Sequence, residues 1–337
     1  MEKVDLLDRK ILHQLDRNSR MSYSEIAKAL KTSPQVVKYR VENLYKRGIL
    51  LYCWPMVEYR GIGYFFGLHF IKLQNMTHEK EKKFYAYLNA HKYIPIIMHG
   101  QGYADLIIAI DGKGIHHLSE IVRELQNKFG DNFLDWDTVI PIGFSRFNRN
   151  YLIGIEEITP DVAFTGAPVT IKIDENDRKI LSMLNYNART PTTEIASKVG
   201  ISYENTIGRI KKLEKGGVIQ CYTILPDHIK LGYPRYRTLI KFKNLNEEEE
   251  RRFFTYCNIH PNVIHHLKVL GNWDLVIDIE VESTEKLREI IMDIKFKFSK
   301  IIQRIEPTYV YKIDQFRDIP IEYCDLNNKL IGGISTL

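Results

Sequence analysis

Apolar residues in the first fifty positions recur at helical spacing in three short segments. Leu7, Ile11, Leu12 and Leu15 give a first helix one apolar face, and Asp5 with Asp8 supplies acidic acceptors at its start. Ser24 to Leu30 make a second helix around Ile26-Ala27. The break Lys31-Thr32-Ser33 then leads into a third, from about Pro34 to Arg47, with Ser33 as N-cap and Pro34 where a missing amide is harmless. Val37, Val41 and Leu44 form its inward stripe, which leaves Gln35, Val36, Lys38, Tyr39 and Glu42 outward. Gly48 stops this helix and Ile49 to Tyr52 reads as a strand. A short helix, a tight turn, a capped second helix and a strand predict a winged helix-turn-helix.

Beyond residue 63 the rhythm changes. Tyr64 to Leu73 predicts a strand, His78 to Ala90 a helix, Ile94 to His99 and Ala104 to Asp111 two strands, Ile115 to Phe129 a helix and Thr138 to Phe147 a last strand. The order βαββαβ implies a ferredoxin-like four-stranded antiparallel sheet with both helices on one face. Leu106, Ile108 and Ile110 recur at period two and predict an apolar opposite face, which must associate to escape water.

All of this occurs twice, ungapped. Asp8-Arg9-Lys10-Ile11-Leu12 returns as Asp177-Arg178-Lys179-Ile180-Leu181, Glu25-Ile26-Ala27 as Glu194-Ile195-Ala196, and Gly102 with Asp105 as Gly271 with Asp274. Each unit is large enough to fold, so the pattern is a duplicated protomer rather than a solenoid of short repeats. The predicted fold is α+β, with winged helix-turn-helix units at 1–52 and 172–221 and βαββαβ domains at 63–150 and 232–314. Residues 151–171, with Pro160, Gly166 and Pro168, read as a linker, and 315–337 as a C-terminal tail.

Charge is not spread evenly over the 337 residues, whose net charge is +6. Residues 1–50 hold eleven Lys/Arg against six Asp/Glu, and residues 170–219 nine against six, so the remainder is slightly acidic. A basic excess confined to the helical module favours a polyanion as its partner, here double-stranded DNA. The candidate contact residues are Ser33, Gln35, Val36, Lys38, Tyr39 and Arg40 in the first copy and Ser202, Glu204, Asn205, Ile207, Arg209 and Lys211 in the second. Arg40 and Arg209 are expected to brace the helix or a phosphate rather than to read a base. A helical pattern starting directly after Met1-Glu2-Lys3, with no apolar run of spanning length, predicts no membrane association and a cytoplasmic protein. Cys53, Cys221, Cys257 and Cys324 lack paired spacing and are expected to be thiols.

The run LDRKILHQLDRNSRMSYSEIAKALKTSPQVVKYRVENLYKRGIL and its copy NDRKILSMLNYNARTPTTEIASKVGISYENTIGRIKKLEKGGVI resemble the Lrp/AsnC feast/famine transcriptional regulators. HPNVIHHLKVLGNWDLVIDIEVES resembles that family's effector-binding and oligomerisation domain, with HKYIPIIMHGQGYADLIIAIDG a looser version. The first copy departs from the family at Lys31-Thr32, where a Gly-led turn is usual. The resemblance implies a sequence-reading third helix, an amino acid or related small effector, and dimers through the βαββαβ domain. Here the dimer would be an intramolecular pseudo-dimer, with room for further homo-oligomerisation. It also implies an effector site near the Gly-x-x-Asp loops, which are Gly102 with Asp105 and Gly271 with Asp274. The same residues equally suit an ordinary tight turn.

Two other classes fit the pattern. An architectural DNA-compacting protein would need the same basic module and no ligand. Siroheme decarboxylases share the architecture, and His260-Pro261-Asn262-Val263-Ile264-His265 is similar to a stretch in them, but Leu267 and Asp274 depart from the enzyme's pattern. The chain is therefore expected not to be an enzyme, and to use no cofactor or metal. His116-His117 and His265-His266 are adjacent pairs, whose side chains diverge on a helix or strand.

Overall fold

The computed structural model is described here over residues 4–158, 162–164 and 171–316. Its first repeat runs α1 (Leu6–Arg17), α2 (Tyr23–Leu30), α3 (Pro34–Lys46), β1 (Leu50–Val57), β2 (Phe65–Leu73), α4 (His78–Ala90), β3 (Ile96–Gly102), β4 (Leu106–Gly112), α5 (Ile115–Phe129) and β5 (Phe133–Arg146). A short strand β6 (Val162–Phe164) precedes the second repeat. That repeat runs α6 (Glu175–Tyr186), α7 (Thr192–Val199), α8 (Tyr203–Lys215), β7 (Ile219–Pro226), α9 (His228–Leu231), β8 (Arg235–Phe242), α10 (Glu247–Ile259), β9 (Val263–Gly271), β10 (Leu275–Glu280), α11 (Thr284–Lys297) and β11 (Ile302–Phe316). The architecture is α+β, two helix-turn-helix units each followed by a βαββαβ domain. Pro160, Gly166, Pro168, Cys324 and all of the tail beyond Phe316 lie outside the described residues.

Local chemistry sets the helix ends. Asp5 accepts from the Asp8 amide, Ser22 forms a reciprocal capping box with Glu25, and Ser33 accepts from the Val36 amide. The residue after α2 is left-handed in both copies. It is Lys31 at φ 52° in the first and Gly200 at φ 79° in the second, so the first copy bears strain that the second avoids.

The strand after α3 does not make a self-contained wing. β1 pairs antiparallel with β7, its counterpart in the other repeat, from Leu50↔Pro226 to Val57↔Ile219. A lone strand would leave its amides and carbonyls unpaired, and the equivalent strand of the second copy satisfies them. Both helical units therefore share one core, with Ile11, Leu12, Val41 and Leu44 on one side and Ile180, Leu181, Ile210 and Leu213 on the other.

The remaining strands close on themselves. Going round, β2, β4, β3, β11, β8, β10, β9 and β5 are each hydrogen-bonded to the next, and β5 returns to β2. The copies join at two seams, β3 with β11 and β5 with β9, and a shift of 169 residues, as from Asp8 to Asp177, turns one seam into the other. Closure abolishes the sheet edges, except where β6 adds to the end of β5.

The parity expected for β4 is reversed. Leu106, Ile108 and Ile110 face the helices, packing with Phe84, Leu88, Leu118 and Ile121, while Ile107 and Ala109 face the interior shared with Leu239, Leu267, Val276 and Val310 of the other repeat. Both faces of this strand are buried, so its run of apolar residues carried no period to fix which set points where. The predicted linker is also less simple than its composition. Its first residues, Tyr151 and Leu152, are buried in a turn.

That turn belongs to a buried charged network. Arg149 donates to Asp16 of α1 at 2.5 Å and to Glu280 of β10 at 2.9 Å. Arg146 reaches Asp16 at 2.7 Å, Arg235 reaches Glu280 at 2.7 Å, and the Tyr151 hydroxyl donates to Glu280 at 2.5 Å. The guanidinium groups hold both carboxyls below the usual range against the cost of burial. Positions 185, 66 and 111, equivalent to Asp16, Arg235 and Glu280, are Asn185, Phe66 and Asp111. The network thus fixes the first helical unit to the second βαββαβ domain.

Two stability measurements follow. Replacing Lys31 by Gly is expected to raise stability by about 0.5–1 kcal/mol in urea unfolding, and Gly200→Lys to lower it by a similar amount; equal midpoints would contradict the strain at Lys31. Burial lowers the pKa of His69 to about 3 and of His260, His265 and His266 to about 4. In the unfolded chain each would bind its proton near pH 6.5. Between these limits the unfolded state holds more protons, so stability is expected to fall as pH drops below about 6.5, by up to roughly 1.4 kcal/mol per unit for each group. Thermal melts that stay flat from pH 7 to 4.5 would contradict the neutral burial of these rings.

Candidate nucleic-acid interface

The two outward helix faces carry the candidate contact residues. In α3, Ser33, Gln35, Val36, Lys38 and Tyr39 are exposed, Tyr39 by 67%. In α8, Ser202, Glu204, Asn205 and Lys211 are exposed and Ile207 is half-buried. Ser33 and Ser202 spend their hydroxyl oxygens on the amides of Val36 and Asn205, each at 3.2 Å, so their role here is to cap. Lys38 stands 3.8 Å from Glu42 one turn on, a weak pair between well-exposed groups.

Arg40 and Arg209 lie inside the module rather than on its outer face. Arg209 donates to Asp174 at 2.7 Å and to Asp177 at 2.9 Å, and Arg40 reaches the equivalent Asp5 and, at 3.1 Å, Asp8. Each guanidinium ties the third helix of its unit to the start of the first helix. Asp5 and Asp174 are held below the ordinary carboxylate range, Asp5 chiefly by the Asp8 amide and Asp174 chiefly by Arg209. Lys212, which was not singled out from the sequence, donates to the same buried Asp177 at 3.0 Å.

A second set of residues locks the units to each other, and it went unnoticed in the sequence. Arg20 donates to the Ala188 carbonyl at 2.5 Å, and its equivalent Arg189 donates to the Ser19 and Met21 carbonyls at 2.7 and 2.9 Å. Each arginine also lies over a tyrosine ring of the opposite copy, Arg20 over Tyr222 at 5.3 Å and Arg189 over Tyr23 at 4.6 Å. The Ser19 amide donates to the Tyr222 carbonyl and the Ala188 amide to the Cys53 carbonyl, extending the exchange along the β1–β7 ribbon. The available signal was the recurrence of arginine at matched positions in the two copies.

The Gly-x-x-Asp loops lie at the seams. Gly102 has φ +122° and a Cβ there would come 2.7 Å from the Pro307 carbonyl oxygen; Gly271 has φ +145° and would come 2.6 Å from that of Thr138. Asp105 accepts from the Leu73 amide at 3.0 Å and from Lys72 at 2.7 Å, and Asp274 accepts from the Phe242 amide at 2.8 Å and from Lys241 at 3.0 Å. Both copies thus use glycine to let the other repeat's strand approach and aspartate to pin the neighbouring strand. Among the described residues no group of three His, Cys, Asp or Glu is arranged to hold a metal ion, and no helix is long and apolar enough to cross a membrane.

Comparison with known proteins agrees with this geometry. Residues 4–44 match the AsnC-type helix-turn-helix domain and residues 173–220 match a winged helix-turn-helix DNA-binding domain. The HTH-type transcriptional regulator LrpA of Pyrococcus horikoshii is 43% identical over 81 residues, which are 24% of this chain and 55% of that protein, so the match spans about half of its length. An uncharacterised HTH-type transcriptional regulator of Pyrococcus furiosus is 31% identical over 125 residues, covering 37% of this chain and 82% of the relative.

Over the whole chain, the crystal structure of the siroheme decarboxylase NirDL is similar in fold, with a TM-score of 0.61, 14% identity and 94% of each chain covered. That finding corrects the expectation that the chain is not an enzyme. An enzyme is built on this complete two-repeat architecture, so the departures at Leu267 and Asp274 do not exclude catalysis. The matched helix-turn-helix domains and the regulator aligned over most of its length place the chain in the Lrp/AsnC family.

Proposed function

We propose that the chain is a sequence-specific transcriptional regulator that binds DNA as a built-in pair of unlike reading heads and responds to a small molecule. The observation that carries this reading is the combination of two exposed third helices with the reciprocal arginine clamp that holds their domains together. A homodimer of identical modules demands a palindrome, whereas these faces differ in kind. Gln35 stands against Glu204, Val36 against Asn205, Lys38 against Ile207 and Tyr39 against Gly208. Glutamine and asparagine suit adenine, lysine suits guanine, glutamate accepts from cytosine, and valine or isoleucine suits a thymine methyl. Each such contact is worth about 1–3 kcal/mol of discrimination, enough to favour one orientation on an asymmetric site.

A second reading, tetrapyrrole chemistry, draws support from the whole-chain likeness to the siroheme decarboxylase, which has also been solved with an iron-uroporphyrin III analogue. It predicts a shifted absorption spectrum when an iron uroporphyrin is titrated into the protein, and an unchanged spectrum would remove it.

Selection of bound sequences from random DNA tests the regulator reading. The expected product is a site of two unlike halves whose centres lie about one helical turn, or a multiple of it, apart. Replacing residues 34–42 by residues 203–211 should shift the preference toward a symmetric site, and a wild-type preference for perfect palindromes would contradict the proposal. A sequence preference that vanishes as salt rises would indicate an architectural protein instead. For Arg40→Ala and Arg209→Ala, weaker binding to all sequences alike is expected from a loosened reading helix; an altered base preference would assign these residues to base contact.

A further inference from the structure

Between the closed sheet and the β1 ribbon lies a half-open pocket of about 90 Å³. Its walls include Leu68 and Ile96 from the first repeat and Arg237 and His265 from the second. The repeat shift of 169 residues carries Leu68 onto Arg237 and Ile96 onto His265, so the cavity straddles the pseudo-twofold axis with equivalent positions from both copies in its walls. Those positions have diverged completely, hydrocarbon in one copy and polar in the other.

The polar wall is a connected unit. Asp278 accepts from Arg237 Nε at 2.8 Å and Nη2 at 2.7 Å, and it pairs with His265 Nδ1 at 2.8 Å. Its equivalent in the first repeat is Ala109, packed in the apolar interior. The first copy thus fills the same three positions with Leu68, Ala109 and Ile96. Desolvating a charged pair contributes little net stability compared with packed hydrocarbon, so stability gives no reason for the second copy to carry the costlier set beside an open space.

The chemistry of the walls defines an occupant. Arg237 is balanced by Asp278, and Arg60, also in the lining, is balanced by Glu58 at 2.6 Å, so an ionised ligand would find no uncompensated charge. His265 turns Nδ1 toward the Asp278 carboxylate, which assigns its proton there and leaves Nε2 as an acceptor. Its side chain keeps 16% exposure, beside the half-buried Ile96 and Phe144, on the open side of the space. Trp54 and Met56, on the β1 ribbon that joins the helical units, add apolar surface, and the buried Trp54 indole N–H has no hydrogen-bond partner among the described residues. An apolar cavity of about 150 Å³ takes benzene, and this smaller space opens outward beside Ile96 and Phe144, so a single ring would fill it and reach the opening.

We propose that each chain binds one uncharged, ring-sized molecule bearing a single hydroxyl or N–H donor, the donor on His265 Nε2 and the ring against Leu68, Ile96 and Trp54. This deepens the small-molecule part of the regulator reading. Because the ribbon strand forms part of the wall, occupancy is sensed by the element that holds the two reading heads.

Calorimetric titration of the full chain without DNA tests the site, so its failure is separable from that of the DNA reading. Phenol, with toluene as the isosteric probe lacking a donor, should bind saturably at one per chain, with phenol favoured roughly tenfold for one hydrogen bond. Filling the space with Leu68→Phe should weaken both probes at least tenfold, and His265→Leu should bring the phenol-to-toluene ratio close to one. If His265→Leu does not fold, the wild-type ratio and the Leu68→Phe result decide. No saturable binding of phenol, equal affinity for the two probes in the wild type, or binding untouched by Leu68→Phe would overturn the proposal.

Discussion

Each repeat of this chain is incomplete in its hydrogen bonding, and that single deficit organises the molecule. A βαββαβ sheet has two open edges, and the strand after each third helix has no wing partner of its own. Buried amides left unpaired cost as much as a lost hydrogen bond, and an open edge invites pairing with another strand. The second copy cancels every one of these deficits: β1 with β7, β3 with β11 and β5 with β9. The glycines at the seams and the reciprocal arginines Arg20 and Arg189 are the residues that permit and reinforce the exchange.

Fusion of the copies frees them to diverge. In a true homodimer a substitution appears on both sides of the axis, whereas here Arg237, Asp278 and His265 face Leu68, Ala109 and Ile96. The same freedom puts Asn185 and Phe66 at the positions equivalent to Asp16 and Arg235 of the buried network, and gives α3 and α8 different outward faces. Asymmetry on the outward faces of α3 and α8, in the buried charges and around the axial pocket has one origin.

Much of this was legible from residues. The helices were readable because they are amphipathic and capped, so period and N-cap agreed, as at Ser33 and Ser202. The order βαββαβ was readable from alternating rhythms. The parity of β4 was not, because a strand buried on both faces has no polar phase to mark one of them. Nor was the cross-copy pairing of β1, since strand partners are set by tertiary context and not by local pattern. The Asp16, Arg149 and Glu280 network joins residues more than a hundred positions apart, and its only trace in sequence is that the copies disagree there. At the candidate interface helical phase gave the exposed positions except Ile207, which is half-buried, and the bonds of Arg40 and Arg209 to the aspartates at the start of α1 and α6 required the packing of those helices.

The central claim is that neither repeat is complete without the other, and it is tested most directly by producing residues 1–158 and 171–337 as separate chains. Light scattering on each alone should show self-association or an unfolded chain, and mixing the two should give a one-to-one complex with the hydrodynamic size of the intact protein. A half that is monomeric at micromolar concentration and unfolds in a single cooperative transition would contradict the account.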